Sequence, residues 1–506
     1  MLEEQLINPL QANILALLAQ ITEYQNTNTN LSKKNLFLEQ ELAQLKRLIF
    51  GKKSERFISK ELPMPANSLF AIEELPENKV ENLTEVVSHT RKKSILTKGG
   101  RKELPAHLLR EVTIIEPENK NEDDRLIGEL VTEILELIPG VMYVKRIERR
   151  KYVNSQNQEI KIGSMPSRAV DKSQFGEGVM ANAIMQKYMD HNPLYRQLEQ
   201  IKRLHQVEIS RSSFGESVQQ HLELVSPLYD ALRKEILNQG YIQTDESPFK
   251  VQSETKKGST DLGFMWVSRA PQKNLVLFSY QRGRGGECMT KHLQGFKGNL
   301  QTDGWKVYDQ LKDHPEIELF NCWAHARRYF EKAKEDYPDI STYMLKQIQI
   351  LYEVEQHCRD HNLTEGERKH IRQEKSKVQL DVIKEYLDQQ SMQSILPKSS
   401  IGKAIAYSLS RWDKLNKYID FGEVEIDNNL IENSIRPLAL GRKNYLFAGS
   451  HQSAQRAAMI YSLFGTCKLN NVNPLEWLKD ILCRIKDHPI NRISELLPHN
   501  WTQLKP

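Results

Sequence analysis

Three carboxylates draw attention because of where they fall. The stretch YIQTDESPFK, residues 241–250, alternates apolar and polar residues. At a period of two it puts Ile242, Thr244 and Glu246 on one strand face and Tyr241, Gln243, Asp245 and Ser247 on the other. Asp245 therefore sits on the body of a strand, where an acid is costly if buried alone and must be solvated, hydrogen-bonded or bound to a cation. A second alternating run, GNLQTDGWKVYD, ends on Asp303, and EIDNNLIENSIRPLALGRKN carries Glu432 within a helix. Two strand acids and one helix acid are the donor set that phosphodiester chemistry with two hard divalent cations requires. Oxygen ligands suit magnesium, and a pair of such ions clamps the attacking and leaving oxygens of an in-line displacement. Each acid taken alone also fits an ordinary structural network.

The elements that must position them follow from pattern. After residue 241, GFMWVSRA and NLVLFSYQ read as short strands, RGRGGE leads into a helix ending near Leu293, and KGNLQTD and IELFNCWAH supply a fourth and a fifth strand. Strands first, then helix and strand in alternation, make a mixed α/β sheet with an antiparallel meander. First and fourth strands are commonly neighbours in such an order, which brings Asp245 and Asp303 together. Residues 336–421 are rich in Lys, Glu, Gln and Leu without strand signal, so they read as a helical insertion before the helix of Glu432. Asp427 can cap that helix, Arg436 stands four residues beyond Glu432 as an ion partner, Pro437 ends or kinks it, and Gly441, Arg442, Lys443 and Asn444 form a basic turn suited to phosphate.

Upstream, a heptad runs from Leu10 to Ile49 with Asn28 and Asn35 at core positions, the spacing of a coiled coil that fixes its partner number; a single long helix packing on its own protein is the alternative. A basic cluster (Lys46, Arg47, Lys52, Lys53, Arg56) follows, and then a polar, Pro-containing linker. Residues 104–153 read as a small β-rich module. The next segment reads as short helices with turns at Gly176 to Gly178, Asn192 to Pro193 and Ile209 to Ser212, with Ser210, Ser212 and Ser213 as N-cap candidates. This helix-turn-helix pattern is compatible with DNA docking and equally with any helical bundle.

Composition sets limits. The 506 residues suffice for three or four domains, and 71 Lys and Arg against 66 Asp and Glu leave only +5, so attraction to nucleic acid must come from local patches. Five cysteines, the first at Cys288, do not make a disulfide scaffold, and the chain has neither an apolar run of membrane-spanning length nor a signal peptide. These features imply a soluble, cytoplasmic protein.

The stretches QTDESPFKV, GNLQTDGWKVYD, CWAHARRYF, IGKAIAYSLSRWDKL, IDNNLIENSIRPLALGRKNYLFAGS and NVNPLEWL, with QKYMDHNPLYRQ and LKRLIFGKKSERF more weakly, resemble the bacterial insertion-sequence transposases of the family numbered sixty-six. That resemblance implies an RNase H-like catalytic core in which Asp245, Asp303 and Glu432 are the metal-binding acids of a DDE transposase. They would hold two magnesium ions, with manganese able to substitute, for strand cleavage and strand transfer at DNA ends. The family also places a zinc finger after the coiled coil. No Cys precedes Cys288 here, so a CxxC site cannot exist there and no zinc is expected.

On this reading the chain divides into coiled coil and basic segment (1–57), linker (58–102), β-rich module (103–163), helical DNA-binding region (164–236), first part of the core (237–335), helical insertion (336–421), core helix with the catalytic Glu and a following helix (422–470) and helical tail (471–506). Arg327, Arg328, Arg436, Arg442 and Lys443 are the candidates for DNA backbone contacts, while Cys322 and His325, a C-x-x-H pair without further ligands at zinc spacing, suit a supporting or packing role. The expected partners are double-stranded DNA (element ends and target), a second copy through the coiled coil, and companion proteins, with the chain on the nucleoid when DNA-bound. A nuclease or resolvase that only hydrolyses, and a catalytically dead dimeric DNA-binding protein, are the competing readings.

Overall fold

The computed structural model describes residues 20–28, 31, 34, 104, 106–119, 124–138, 140–154, 159–393 and 395–503. Contacts divide the chain between Glu103 and Leu104 into two units. In the first, residues 20–28 are helical, and the heptad residues Ile21, Tyr24 and Leu31 face solvent. The remaining heptad positions, the basic cluster and the 58–102 linker lie outside the described residues.

The second unit begins with a four-stranded sheet of β1 (Arg110–Ile115), β2 (Asp124–Ile138), β3 (Val141–Asn154) and β4 (Ile160–Ile162). The β2–β3 hairpin pairs from Asp124↔Asn154 to Ile138↔Val141, and β1 runs parallel to β3. Leu135 and Val144 are fully buried in one cluster with Phe175, Val179 and Phe214. Helices α1 (Glu177–Tyr188), α2 (Leu194–His205), α3 (Arg211–Leu224) and α4 (Ser226–Leu237) follow. In α4, Leu228, Leu232 and Ile236 recur every four residues and are completely buried, the stripe that docks an amphipathic helix. Ser210 occupies the N-cap of α3 without a capping side-chain hydrogen bond.

A five-stranded mixed sheet comes next: β5 (Tyr241–Gln252), β6 (Thr260–Ala270), β7 (Leu275–Gln281), β8 (Gly298–Thr302) and β9 (Ile317–Asn321), with α5 (Gly286–His292) between β7 and β8. Its order is β7-β6-β5-β8-β9, antiparallel across β7-β6-β5 and parallel across β5-β8-β9. First and fourth strands of the sheet are neighbours, as the sequence pattern predicts. Val276, Leu277 and Phe278 on β7 are buried, the continuous apolar signature of a strand covered on both faces.

After β9 the chain enters α6 (Trp323–Ala333) and then the helices of the insertion, α7 (Pro338–Asp360), α8 (Glu365–Ile371), a π-helical turn Arg372–Ser376, α9 (Lys377–Ser391), α10 (Ser400–Ser410) and α11 (Trp412–Asn416). They enclose their own apolar cluster with α6, including Trp323, Phe330, Ile348, Ile383 and Ile401. Glu355, fully buried, receives Arg372 Nε at 2.7 Å and Arg368 Nη2 at 2.7 Å, and Arg368 also reaches Glu425 at 2.8 Å. The buried carboxylate is thus compensated by two guanidiniums, which hold the insertion to the segment leading into α12 (Asn429–Tyr445). Helices α13 (His451–Leu469) and α14 (Pro474–Arg484) complete the fold.

One expectation about α12 needs correction: Gly441 to Asn444 are helical rather than a basic turn. Of the two alternatives for Pro437 an end is excluded, because the residue lies inside the helix. Burial of Ile431, Ile435, Leu438 and Gly441 against the sheet holds the helix through the proline, and Arg269 Nη1 donates to the Leu430 carbonyl (2.9 Å) and to Ser434 Oγ (3.1 Å) just before it.

Candidate active site

Strands β5 and β8 pair in parallel at Tyr241↔Asn299, Ile242↔Leu300 and Gln243↔Gln301. Asp245 stands two residues beyond Gln243, and Asp303 two residues beyond Gln301. The two aspartates therefore leave the same carboxyl end of a parallel strand pair, the place where mixed α/β sheets open a crevice. Asp245 stays extended, opposite Val267 of β6, and its Oδ1 accepts the Glu246 N–H at 2.8 Å. Its carboxyl is pushed up to about 8, first by burial and then by the charges of Glu246, Asp303 and Glu432. The third acid of the set is thus close enough to be felt at the first.

Asp303 begins a turn rather than ending the strand in solvent. Its Oδ1 accepts the Trp305 N–H at 2.8 Å, its carbonyl accepts the Tyr407 hydroxyl at 2.6 Å, and the Gly304 carbonyl accepts Arg411 Nε and Nη2 at 2.8 and 2.6 Å. Gly304 has φ +82°, and a Cβ there would lie 2.6 Å from Arg411 Nε. Only glycine fits both constraints.

Glu432 is delivered in the first turn of α12, whose start is tied to the sheet. The Trp323 N–H donates to the Ile426 carbonyl (3.2 Å), Gln243 Nε2 donates to the Asp427 carbonyl (2.8 Å), and the Asn428 N–H donates to Cys322 Sγ (3.3 Å). Asn428 is the N-cap, while Asp427 Oδ1 accepts the Asn429 N–H at 3.0 Å. The partner of Glu432 is Arg328 of α6, not Arg436. Arg328 Nη2 lies 3.2 Å from both carboxylate oxygens, and His325 Nε2 lies 3.7 Å from Oε1 and 3.1 Å from Arg328 Nη1. Burial and Arg328 hold the His325 ring below its ordinary range, while Asp303 and Glu432 pull it upward. Cys322 is fully buried, and its thiol is held well above the usual range, mainly by burial.

Several members of the site escape a reading of the chain by pattern. Glu246, placed by alternation on the face opposite Asp245, has a carboxylate that is only 1% exposed; it accepts Arg284 Nε at 2.8 Å and the Tyr308 hydroxyl at 3.3 Å. Burial raises its carboxyl, and Arg284 opposes the rise. The Arg284 guanidinium lies 3.9 Å from the centroid of Trp305, the residue that also holds Asp303. Tyr407 and Arg411 lie in IGKAIAYSLSRWDKL, a block that stood out in the sequence without a role.

Among the described residues, no three His, Cys, Asp or Glu side chains stand in an arrangement ready to hold a metal ion. The donor chemistry fits one nonetheless. Asp245, Asp303 and Glu432 are hard oxygen donors of the kind that suit a hard divalent cation, and burial, with the charges of Glu246, Asp303 and Glu432 adding to it, raises the Asp245 carboxyl. Glu432 meets its positive charge in Arg328 instead. Of the remaining basic residues, Arg436 and Lys443 are exposed on α12, and Arg442 is half-buried with Nη1 donating to the Pro248 carbonyl. Arg327, next to Arg328 on α6, bears electrostatically on Tyr352.

Comparison with known proteins places these features in a family. The model of the "Transposase IS66 family" matches residues 172–456, which spans the helices α1–α4, the mixed sheet, the insertion and α12. The "IS66 C-terminal element" matches residues 462–499, and "Transposase C of IS166 homeodomain" matches 37–113. Two uncharacterized proteins of Sinorhizobium fredii are similar over almost their whole length. One, y4hP, is 29% identical over 501 residues, covering 92% of this chain and 88% of the relative; the other, y4qI, is 29% identical over 515 residues, covering 97% and 94%. A shorter match, 43% identical over 49 residues, is to YuaK of Escherichia coli, covering 10% of this chain and 52% of that protein. No solved structure matches. With more than half of its length under one family model, the chain belongs to the IS66 transposase family.

Proposed function

We propose that this chain is a DDE-type transposase that cleaves DNA strands at the ends of its own insertion sequence and joins them to target DNA. The observation that carries the reading is the parallel pairing of β5 and β8, which sets Asp245 and Asp303 two residues beyond the paired Gln243 and Gln301, with the charge of Glu432 bearing on Asp245 from α12. The strand order β7-β6-β5-β8-β9, three antiparallel and two parallel, supports an RNase H-like core.

In this mechanism Asp245, Asp303 and Glu432 would hold two magnesium ions, or manganese in their place. When bound, such ions would supply Lewis-acid polarisation of the scissile phosphate and activation of the attacking oxygen. The chain's own residues do the rest. The Asp303–Gly304 turn, closed by Tyr407 and Arg411, fixes the second aspartate in space, and the docked start of α12 fixes the glutamate. Arg328, beside Glu432 and His325, would offer its guanidinium to a phosphate oxygen. Arg327, Arg436, Arg442 and Lys443 track the backbone beyond it, while Cys322 and His325 support the glutamate's helix and its counter-ion.

The reading extends to the rest of the chain. A coiled coil over residues 10–49 would pair two copies, the β-rich module and the helices α2–α3 would recognise element ends without zinc, and companion proteins would complete the assembly. No helix among the described residues is long and apolar enough to cross a membrane, and the proposed workplace is the cytoplasm, on the nucleoid when DNA is bound.

The deciding experiment incubates purified protein with a labelled duplex ending in the terminal repeat that bounds its reading frame, a target plasmid and Mg2+. Nicked ends together with joined products support a transposase. Nicks without joining in any divalent metal point to a hydrolase, and repeat binding with neither product points to a dead DNA-binding protein.

A further inference from the structure

The C-terminal end of α12 carries a feature that the acid cluster does not need. Leu446 has φ +62° and ψ −47°, and the Phe447 N–H donates to the Tyr445 carbonyl at 2.7 Å. This is a γ-turn of the rare positive-φ kind, centred on a leucine. The other described non-glycine residues with positive φ are His, Gln or Asn, side chains that tolerate the left-handed region better. A strained backbone persists only where its surroundings over-determine it. Here they do: the Ala448 N–H donates to the Lys250 carbonyl at 2.9 Å, the Gln252 N–H donates to the Ala448 carbonyl at 2.8 Å, and Arg442 donates to the Pro248 carbonyl. The turn is clamped to the far end of β5, yet what it presents is apolar. Leu446 is 63% exposed and Phe447 42% exposed.

The approach to this tip is cationic. Glu432, Arg436, Leu440 and Lys443 recur at four, four and three residues and so lie along one face of α12, and the last three are exposed. Between Glu432 and Ser450 the chain has no acid, and Lys250 beside the turn is exposed as well. At about 1.5 Å per residue, the helix sets the tip about 21 Å from Glu432. With base steps of about 3.4 Å along a strand, that is about six nucleotides.

We infer that the Leu446–Phe447 turn is a wedge for the DNA that the acids act on: backbone phosphates follow Arg436 and Lys443 along α12, and Phe447 enters the base stack about six nucleotides from the reacting phosphate. Apolar side chains that part a base step in this way are a recurrent device for bending or opening duplex ends. The inference rests on the transposase reading and adds to it a base-contacting residue remote from the chemistry.

The test uses the full chain and the terminal-repeat duplex that bounds its reading frame, with 2-aminopurine placed singly at positions three to ten from the end. The expected result is brightening at one or two adjacent positions near the sixth, lost in Phe447→Ala together with about tenfold in affinity, and retained in Phe447→Trp. Two results overturn the wedge while leaving the transposase reading intact: wild-type protein binds the repeat but brightens no position, or Phe447→Ala behaves as wild type. A change in the sedimentation mass of DNA-free Phe447→Ala overturns it also, because a second copy of the chain then covers the turn. Failure of wild type to prefer the repeat over a scrambled duplex overturns the underlying reading itself.

Discussion

Arg328 meets Glu432 with one amino group set 3.2 Å from each carboxylate oxygen, so the glutamate proposed as the third acid is already paired with a cation of the chain's own. This pair sets cation affinity in competition with an internal charge. Replacing Arg328 with Gln is expected to tighten Mn2+ binding by the DNA-free protein roughly five- to tenfold, because both side chains are about one-third exposed and the pair is screened. Electron paramagnetic resonance of free Mn2+ reads this directly. Weaker binding in Arg328→Gln would mean that the arginine orients the glutamate rather than occupying it.

Asp303→Ala should remove strand cleavage by several orders of magnitude while leaving affinity for the terminal repeat within about twofold, since the turn residues around it keep their backbone bonds. A gel-shift titration and a cleavage assay on the same preparation check both halves. Retained cleavage would take Asp303 out of the reaction.

The Asp303–Gly304 turn is expected to be sensitive as well, though less than the acid itself. Gly304→Ala meets both a left-handed φ and the Arg411 side chain, and should cost about 1–3 kcal/mol in urea unfolding. Arg411→Ala leaves Gly304 unstrained but frees its carbonyl. Cleavage should then fall about tenfold or more with little change in stability or DNA affinity. Equal losses in all three would make Arg411 a purely structural residue.

His292 offers a pH test away from the acids. It is fully buried, with Ser268 Oγ 2.7 Å from Nε2 and Ser279 Oγ 2.6 Å from Nδ1, and burial lowers its ring from the usual 6.5 to about 3. The folded protein keeps the ring neutral where the unfolded chain protonates it. Its contribution to stability is therefore complete above about pH 6.5 and drains away as the pH falls toward 3. His292→Gln should be destabilised by about 1–3 kcal/mol at pH 7, and that gap should close between pH 6 and pH 4. A gap that stays constant across thermal melts in this range would show that His292 titrates normally.

In the N-terminal unit, Ile21, Tyr24 and Leu31 are 50%, 74% and 53% exposed among the described residues. Substituting Leu31, Leu38 and Leu45 with Lys should turn a dimer into a monomer in sedimentation equilibrium, with the melting of the 104–506 unit unchanged. An unchanged mass would place the interface elsewhere.

Much of the fold was legible because local pattern and tertiary context agree there. The alternation at 241–250 read as a strand and is one, and the two aspartates were brought together by strand order alone. Pattern failed where packing overrides propensity. Pro437 promised an end or a kink, and the buried residues of α12 carry the helix on past it. Counter-ions were the other blind spot. Arg436 is near Glu432 in sequence, but Arg328 reaches it from a helix 104 residues earlier, and no local spacing encodes that. Glu246 was hidden for a related reason: strand alternation tells which side a residue faces but not that Arg284 and Tyr308 wait there.

Gln243 joins three segments far apart in the chain, donating both to Gln301 Oε1 at 2.9 Å and to the Asp427 carbonyl at 2.8 Å. Its Nε2 reaches both of these acceptors only after everything from β5 to the threshold of α12 has been synthesised and folded. A ribosome that stalls inside the insertion, or a protease that clips it, leaves a fragment with both aspartates but without the glutamate or the contacts that seat it. On the proposed function, the fold thus acts as an interlock that withholds the seated glutamate from incomplete copies.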